Sequence, residues 1–429
     1  MPIVKITRKN RGSYGLFCAY VAILVFFLAG CSNHNTKEEI QGTGEAPSET
    51  LPEIPADPKL DPEPGTEKTF SFMRDVIYGE TEEILLGRIL SVAVDDFGRV
   101  YMADRDHITI HVYQPDGEYL KSLARQGHGP GELDMVHPNT HLNFDAEYLY
   151  VSDGYHRSPH RIHVFSLEDL SFSHTLNTRD ENKQEFDEAL ETYEPELIYP
   201  LSDGNFLAVY TPIHSPDFFQ KEENVIRYYI HDSNGQIISG PVLEQKHQQY
   251  LYHVVQGNFL ANSFPFLRKP LLAVSDEDHL FAAWTKDFRI EVYQSDGKKI
   301  RSIEHPLQNQ PLTQCAITDK IELCDALFDD GVCEQMVRNA SNLPQTWPAL
   351  DDMLIDDENR LWVSTIVEDF DIYEWWVLEE TGELITRFKW PRDEPIEVVK
   401  NGYMYTRETD EETGLQQVVR YRIEMTDEK

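Results

Sequence analysis

The sequence predicts an all-β fold, a six-bladed β-propeller of four-stranded blades. Three observations point there. A four-strand pattern recurs six times from residue 69 onward, Asp-Gly and Asn-Gly turns punctuate it, and the last copy is one strand short while an unpartnered strand precedes the first.

The clearest copy runs 90–94, turn 95–98, 100–104, then 108–113, turn 115–117, and 119–123. The second pairs 141–144 with 148–153, then 161–165 with 171–176. The third pairs 197–201 with 206–210 across Ser202-Asp-Gly204, then 225–230 with 236–239. In the fourth, 271–274 and 280–284 precede 289–293 and 299–303. In the fifth, 353–355 and 361–363 precede 372–378 and 384–390. The sixth offers 396–399, 403–405 and 418–423. Tight hairpins need positive φ at their centre, which Gly and Asn adopt at little cost, so these turns fix the register of the flanking strands. Inner blade strands are buried on both faces, which explains their loose alternation. The segment 70–77 is expected to supply the missing strand of the sixth copy, closing the ring and removing an exposed sheet edge.

The run Val92-Ala-Val-Asp-Asp-Phe-Gly-Arg-Val-Tyr-Met-Ala-Asp104, with 108–113 and Pro115-Asp-Gly117, resembles the NHL repeat. The following Arg125-Gln-Gly-His-Gly-Pro-Gly-Glu-Leu133 resembles a linker of six-bladed β-propeller lipoproteins of Bacteroidota and their relatives. That resemblance covers residues 69–429 and implies fold and location much more than activity.

The amino terminus supports the same placement. Lys5, Arg8, Lys9 and Arg11 precede an apolar run, 16–28, in the layout of a secretory signal over residues 1–30. The run ends Leu28-Ala29-Gly30-Cys31, which resembles the lipobox of bacterial lipoproteins. The resemblance implies that Cys31 is lipidated, that cleavage follows Gly30, and that Ser32 directs the protein to the outer membrane. Several acyl chains give a stable anchor where one is marginal. Residues 31–68 then read as a disordered tether, rich in proline and acid and poor in aliphatic side chains.

Charge excludes one class of partner. The chain has 75 acidic and 38 basic side chains, a net charge of -37, and loss of the signal makes it more acidic still. Nucleic-acid binding requires a basic stripe to displace counterions, and none is present.

Residues 314–340 break the strand rhythm. Ile317, Ile321, Cys324 and Phe328 fall at helical spacing, as do Val332, Met336 and Ala340, with Gly331 between, so two short helices are expected, capping one face of the ring. Cys315, Cys324 and Cys333 match no zinc spacing. An oxidising envelope allows one disulfide among them. Nine residues of continuous helix span about 13.5 Å, too far to bridge, so a pair requires the chain to turn back.

Residues leading into the innermost strands ring the channel mouth of a propeller. Here they are Arg88, Asn139, His141, Glu196, Arg268, Asp351 and Glu394. Of these, Asn139, Glu196 and Asp351 offer the hard oxygen donors that suit calcium, as in gluconolactonase-like and paraoxonase-like six-bladed hydrolases. Asp104 and Asp153 end equivalent second strands, where an Asp bonds the backbone of the next turn. No Gly-x-Ser-x-Gly elbow, His-Glu-x-x-His or Walker loop occurs. The sequence therefore points to a binding or scaffold lipoprotein that holds a protein, peptide or glycan of the envelope. A calcium-dependent hydrolase or lyase is the alternative.

Overall fold

The computed structural model describes residues 68–79, 81, 84–137, 140–153, 161–177, 190–215, 218, 223–255, 258–326 and 331–427. The signal, Cys31 and the tether lie outside them. Strand β1 (Lys68–Tyr78) comes first, and blade one follows as β2 (Ile89–Val94), β3 (Val100–Asp104), β4 (Thr109–Tyr113) and β5 (Tyr119–Leu123). Blade two is β6 (Leu142–Phe144), β7 (Tyr148–Asp153), β8 (Arg161–Ser166) and β9 (Phe172–Asn177). Blade three is β10 (Tyr193–Pro200), β11 (Phe206–Pro212), β12 (Val225–His231) and β13 (Ile237–Lys246). A hairpin, β14 (Leu251–Val255) and β15 (Asn258–Asn262), leads to blade four: β16 (Pro270–Val274), β17 (Leu280–Trp284), β18 (Arg289–Tyr293) and β19 (Lys299–Glu304). Helices α1 (Gln314–Asp325) and α2 (Val332–Asn339) precede blade five, which is β20 (Leu350–Ile355), β21 (Leu361–Ile366), β22 (Ile372–Leu378) and β23 (Leu384–Pro391). Blade six is β24 (Ile396–Lys400), β25 (Tyr403–Thr409) and β26 (Gln416–Asp427).

The six-bladed ring is as expected, and β1 closes it. The sheet order is β1-β26-β25-β24, with Phe70 opposite Met425 and Tyr78 opposite Val418. The blades pack through their apolar faces. Phe70 lies against Trp362 of blade five, ring centroids 5.7 Å apart, and Phe72 against Phe388 at 4.7 Å. Neighbouring outer edges interlock as well. A Cβ at Gly297, whose φ is 85°, would collide with the Val242 carbonyl of the preceding blade.

A carboxylate organises three first hairpins, buried in two of them. Asp95 accepts from the backbone N–H of Phe97 and Arg99, from Arg99 Nε at 2.6 Å and from the Tyr101 hydroxyl at 2.9 Å. Asp356 repeats this with Glu358, Arg360 and the Trp362 indole, and Asp145 with Glu147, Tyr148 and Tyr150. The sequences Asp95-Asp-Phe-Gly-Arg-Val-Tyr101 and Asp356-Asp-Glu-Asn-Arg-Leu-Trp362 encode one device: donors at fixed offsets that satisfy a carboxylate otherwise too costly to bury.

The inner turns are tied to one another at one end of the axis. Ser202 bonds Asp278, the Asp276 N–H meets Asn359, the Asn401 N–H meets Asp357, and Lys400 pairs with Asp96. Blades three to six and then blade one are linked in sequence.

Two features depart from the sequence reading. The hairpin β14–β15 was not anticipated, and β10 begins four residues before the expected 197. A bulge at Glu196 interrupts the alternation there, which hid the first half of β10 from a period-two search. The helices are where expected. The Cys324–Cys333 disulfide joins them with Cα atoms 6.0 Å apart, because the chain reverses at Gly331, and Cys315 is exposed and outside that bond.

Truncating Phe70 to Ala should destabilise the protein by about 3 kcal/mol, since it opens a cavity at the seam that closes the ring. Urea denaturation at equilibrium reads this; a loss within 0.5 kcal/mol (about the effect of an ordinary surface substitution) would refute the seam's importance.

Candidate functional site

The innermost strands are β2, β6, β10, β16, β20 and β24, and contacts join β24 to β2, β2 to β6, β6 to β10 and β16 to β20. Four of them carry a bulge near their first residues: at Leu90, at Glu196, at Asp351 and Asp352, and at Glu397. A bulge adds one residue and re-aims its side chain, and here acids are placed at the channel mouth in blades three, five and six.

The mouth is a mixed-charge site. Asp351 accepts from the Tyr373 hydroxyl at 2.6 Å and lies 3.7 Å from Lys269 Nζ. Burial opposes its ionisation, yet Lys269 and Tyr373 outweigh that and hold it below the usual carboxylate range. Its neighbour Asp352 meets water within the bore while protein encloses it. Desolvation, with Asp351 and Glu397 adding repulsion against the pull of Lys269, pushes it up to about 6. Arg407 Nε pairs with Glu397 at 2.8 Å. Arg88 lies near Arg105 and Arg407, and its own burial, more than either, lowers its pKa.

The other candidates are distributed differently. Burial holds the His141 imidazole neutral, down to about 4. Glu196 is half-buried beside Tyr199 and Tyr228 and raises both hydroxyls, though burial raises them more. Arg268 turns away from the axis and bonds the carbonyls of Phe266 and Thr346 at 3.0 and 2.9 Å. Glu394, pushed up to about 7 by burial and then by Glu408, has Arg74 of the outermost strand among its neighbours, so it faces the outer half of blade six. Asn139 lies outside the described residues.

Among the described residues two groups bring three metal-capable side chains together: Asp104, His107 and His111, and Glu277, His279 and Glu380. Neither includes Glu196 or Asp351. In the first, Asp104 accepts backbone N–H from Gly87, Asp106 and His107, and meets His107 Nδ1 at 2.9 Å and His111 Nε2 at 3.2 Å. Its lone pairs are taken. The bonds from Asp106 and His107 are those expected of an Asp at this position. His111 Nδ1 meets Ser122 on the next strand, and blade two repeats this with His163 and Thr175, so the cluster reads as a blade support. The second group joins blades four and five, His279 bonding Glu380 at 2.6 Å.

A large cavity lies elsewhere. A cleft of about 1030 Å3 opens above blades three and four, at the upper end of the size range of small-molecule sites. Its walls come from β14, from α2 and the chain after it (339–346), from the end of β13 and from Trp284 at the end of β17. Phe264, Phe266, Cys333, Met336 and Trp347 form the apolar cluster that joins hairpin to helices. Sequence reasoning missed this site because about 50 residues separate its two insertions, 251–262 and 314–346. Gly257, between two aromatic-containing runs, was the available signal in the sequence.

Residues 65–262 match the family DUF5128, described as a 6-bladed beta-propeller. Over that stretch the chain is DUF5128-like. No curated protein matches it. Similar solved structures include a Bacteroides fragilis protein described as exported (10% identity, TM-score 0.46, covering 85% of this chain and 98% of that one). A DUF4221 member from Bacteroides vulgatus gives 12% identity and a TM-score of 0.45, over 85% of this chain and 99% of that one. A Bacteroides thetaiotaomicron protein of unknown function gives 8% and 0.43, over 83% and 76%.

Two aspartates should titrate in opposite senses. Burial raises Asp104, but His111, His107 and backbone donors more than reverse this, so its stabilising effect is full at neutral pH and disappears only in strong acid. Asp104→Asn should cost about 3 kcal/mol at pH 7. Asp352 is raised, so its charge costs stability above its folded pKa, and that cost fades as pH falls through about 6. Asp352→Asn should raise the melting temperature at about pH 8 and leave it unchanged near pH 4; a pH-independent difference would contradict the assignment.

Proposed function

We propose that the chain is a lipid-anchored binding protein of the bacterial outer membrane, with the cleft over blades three and four as its ligand site. One observation carries the binding role. The repeat pattern is broken at two insertions, 251–262 and 314–346, and both wall the same cleft. Insertions in a repeat architecture map to loops on one face, often the binding face. A rigid ring beneath them holds the walls at fixed separation, so little ordering entropy is lost on binding. The Leu28-Ala29-Gly30-Cys31 run supports the anchor. No helix among the described residues is long and apolar enough to cross a membrane. The ligand class is a protein, peptide or glycan. Calcium chemistry at the channel mouth has less support: Asp351 is already engaged by Lys269 and Tyr373.

Two measurements test this. Cys31→Ser should abolish labelling by radioactive palmitate and release the chain from the membrane fraction; retention of both would remove the anchor. Defined peptide and glycan libraries should contain binders that protect the amides of 246–254 and 339–346 from hydrogen exchange in the full chain. Protection confined to the inner strands, and dependent on added calcium, would instead favour the channel enzyme.

A further inference from the structure

The cleft differs in charge from the molecule around it. The chain carries -37, yet the cleft wall holds Lys246, Arg268 and Lys286 against the single carboxylate of Glu223. Glu223 is matched, 2.5 Å from Lys246 Nζ. Arg268 is not matched. It is 6% exposed, its guanidinium bonds only neutral groups (the Phe266 carbonyl and the Thr346 carbonyl and hydroxyl), and Asp287 acts on it only at a distance. Lys286 is exposed and has no side-chain partner among the described residues. A buried cation held by neutral acceptors is costly unless something else supplies the counter-charge. In so acidic a protein, two unmatched cations in one concave wall mark where a ligand anion would sit.

The rest of the wall specifies the ligand's body. Trp284 is half-buried on one side. On another, Tyr250 belongs to a ring cluster with His214, Phe218 and His247, centroids 5.5 to 6.2 Å away. Primary amides stand between. Gln249 receives the Arg268 N–H through Oε1, which leaves its NH2 group, and Gln248 spends its NH2 group on Ser263, which leaves Oε1. Flat apolar faces alternating with amides that both donate and accept match a sugar chain. Such a chain shows C–H faces to rings and vicinal hydroxyls to amides.

We propose that the cleft binds an acidic oligosaccharide, its rings against Trp284 and Tyr250 and its carboxylate or sulfate groups at Arg268 and Lys286. This rests on the reading of the cleft as the ligand site. The full chain, purified in detergent, is titrated calorimetrically with tetragalacturonate, its methyl ester, a sulfated chondroitin tetrasaccharide and hexaglutamate. The expected result is binding of at least one acidic saccharide, weakened about tenfold or more by esterification or by Lys286→Glu, and weakened by added salt. Lys286 lies on the surface, so its replacement leaves folding intact. Trp284→Ala should weaken acidic and esterified saccharides alike. Equal binding of acid and ester, indifference to Lys286→Glu, tighter binding of hexaglutamate, or no saccharide binding would each overturn the proposal. In any of those cases, amide protection at 246–254 and 339–346 by another library member leaves the cleft standing as the site. Absence of protection by every member removes the cleft as well.

Discussion

Ring closure by β1 against β26 is the constraint on which the rest depends. Each blade is satisfied on both faces only when it has two neighbours, and the first and last blades acquire theirs through one antiparallel pairing between segments some 350 residues apart. That pairing sets the channel's dimensions, and these bring side chains from distant blades within electrostatic reach. Asp276 of blade four is raised mainly by desolvation, but Asp96 of blade one also acts on it from across the axis. The inner-turn bonds at that end tie blades three to six and blade one together.

The molecule uses aspartate in two ways, and donor supply decides between them. Asp95, Asp104, Asp145 and Asp356 are surrounded by N–H and O–H groups, most of them placed by their own turns. Asp352 has the Met353 N–H and the pull of Lys269, set against burial and the repulsion of Asp351 and Glu397. The first kind strengthens blades. The second kind is a carboxyl the fold leaves dissatisfied, which is how channels acquire groups that titrate near neutrality.

Much of the architecture was legible in the sequence because propeller blades are built from local signals: turn residues at short offsets, short strands between them, and a spare strand at one end matched to a missing one at the other. The disulfide's requirement for a chain reversal was legible too, and Gly331 supplies it. The site was less legible. A bulge adds one residue without changing composition, so the side to which Glu196 or Asp351 points could not be read from alternation. Arg268 precedes an inner strand, as a mouth residue would, but Phe266 just before it and Thr346 in the second insertion supply its carbonyl acceptors. The cleft arises from two insertions distant in sequence, and no local pattern reports that they meet.

The way the chain enters the ring has a geometric corollary. Phe70, near the start of β1, rests on Trp362, whose indole is bonded to the Asp356 turn, so the entering segment joins at the end of the ring that bears the inner turns. The insertions rise from the opposite end. A leash fastened to a bilayer would thus draw the turn-bearing surface toward the lipid and hold the walled hollow outward, like a bowl on a stem, open to polymers too large to slip beneath the ring.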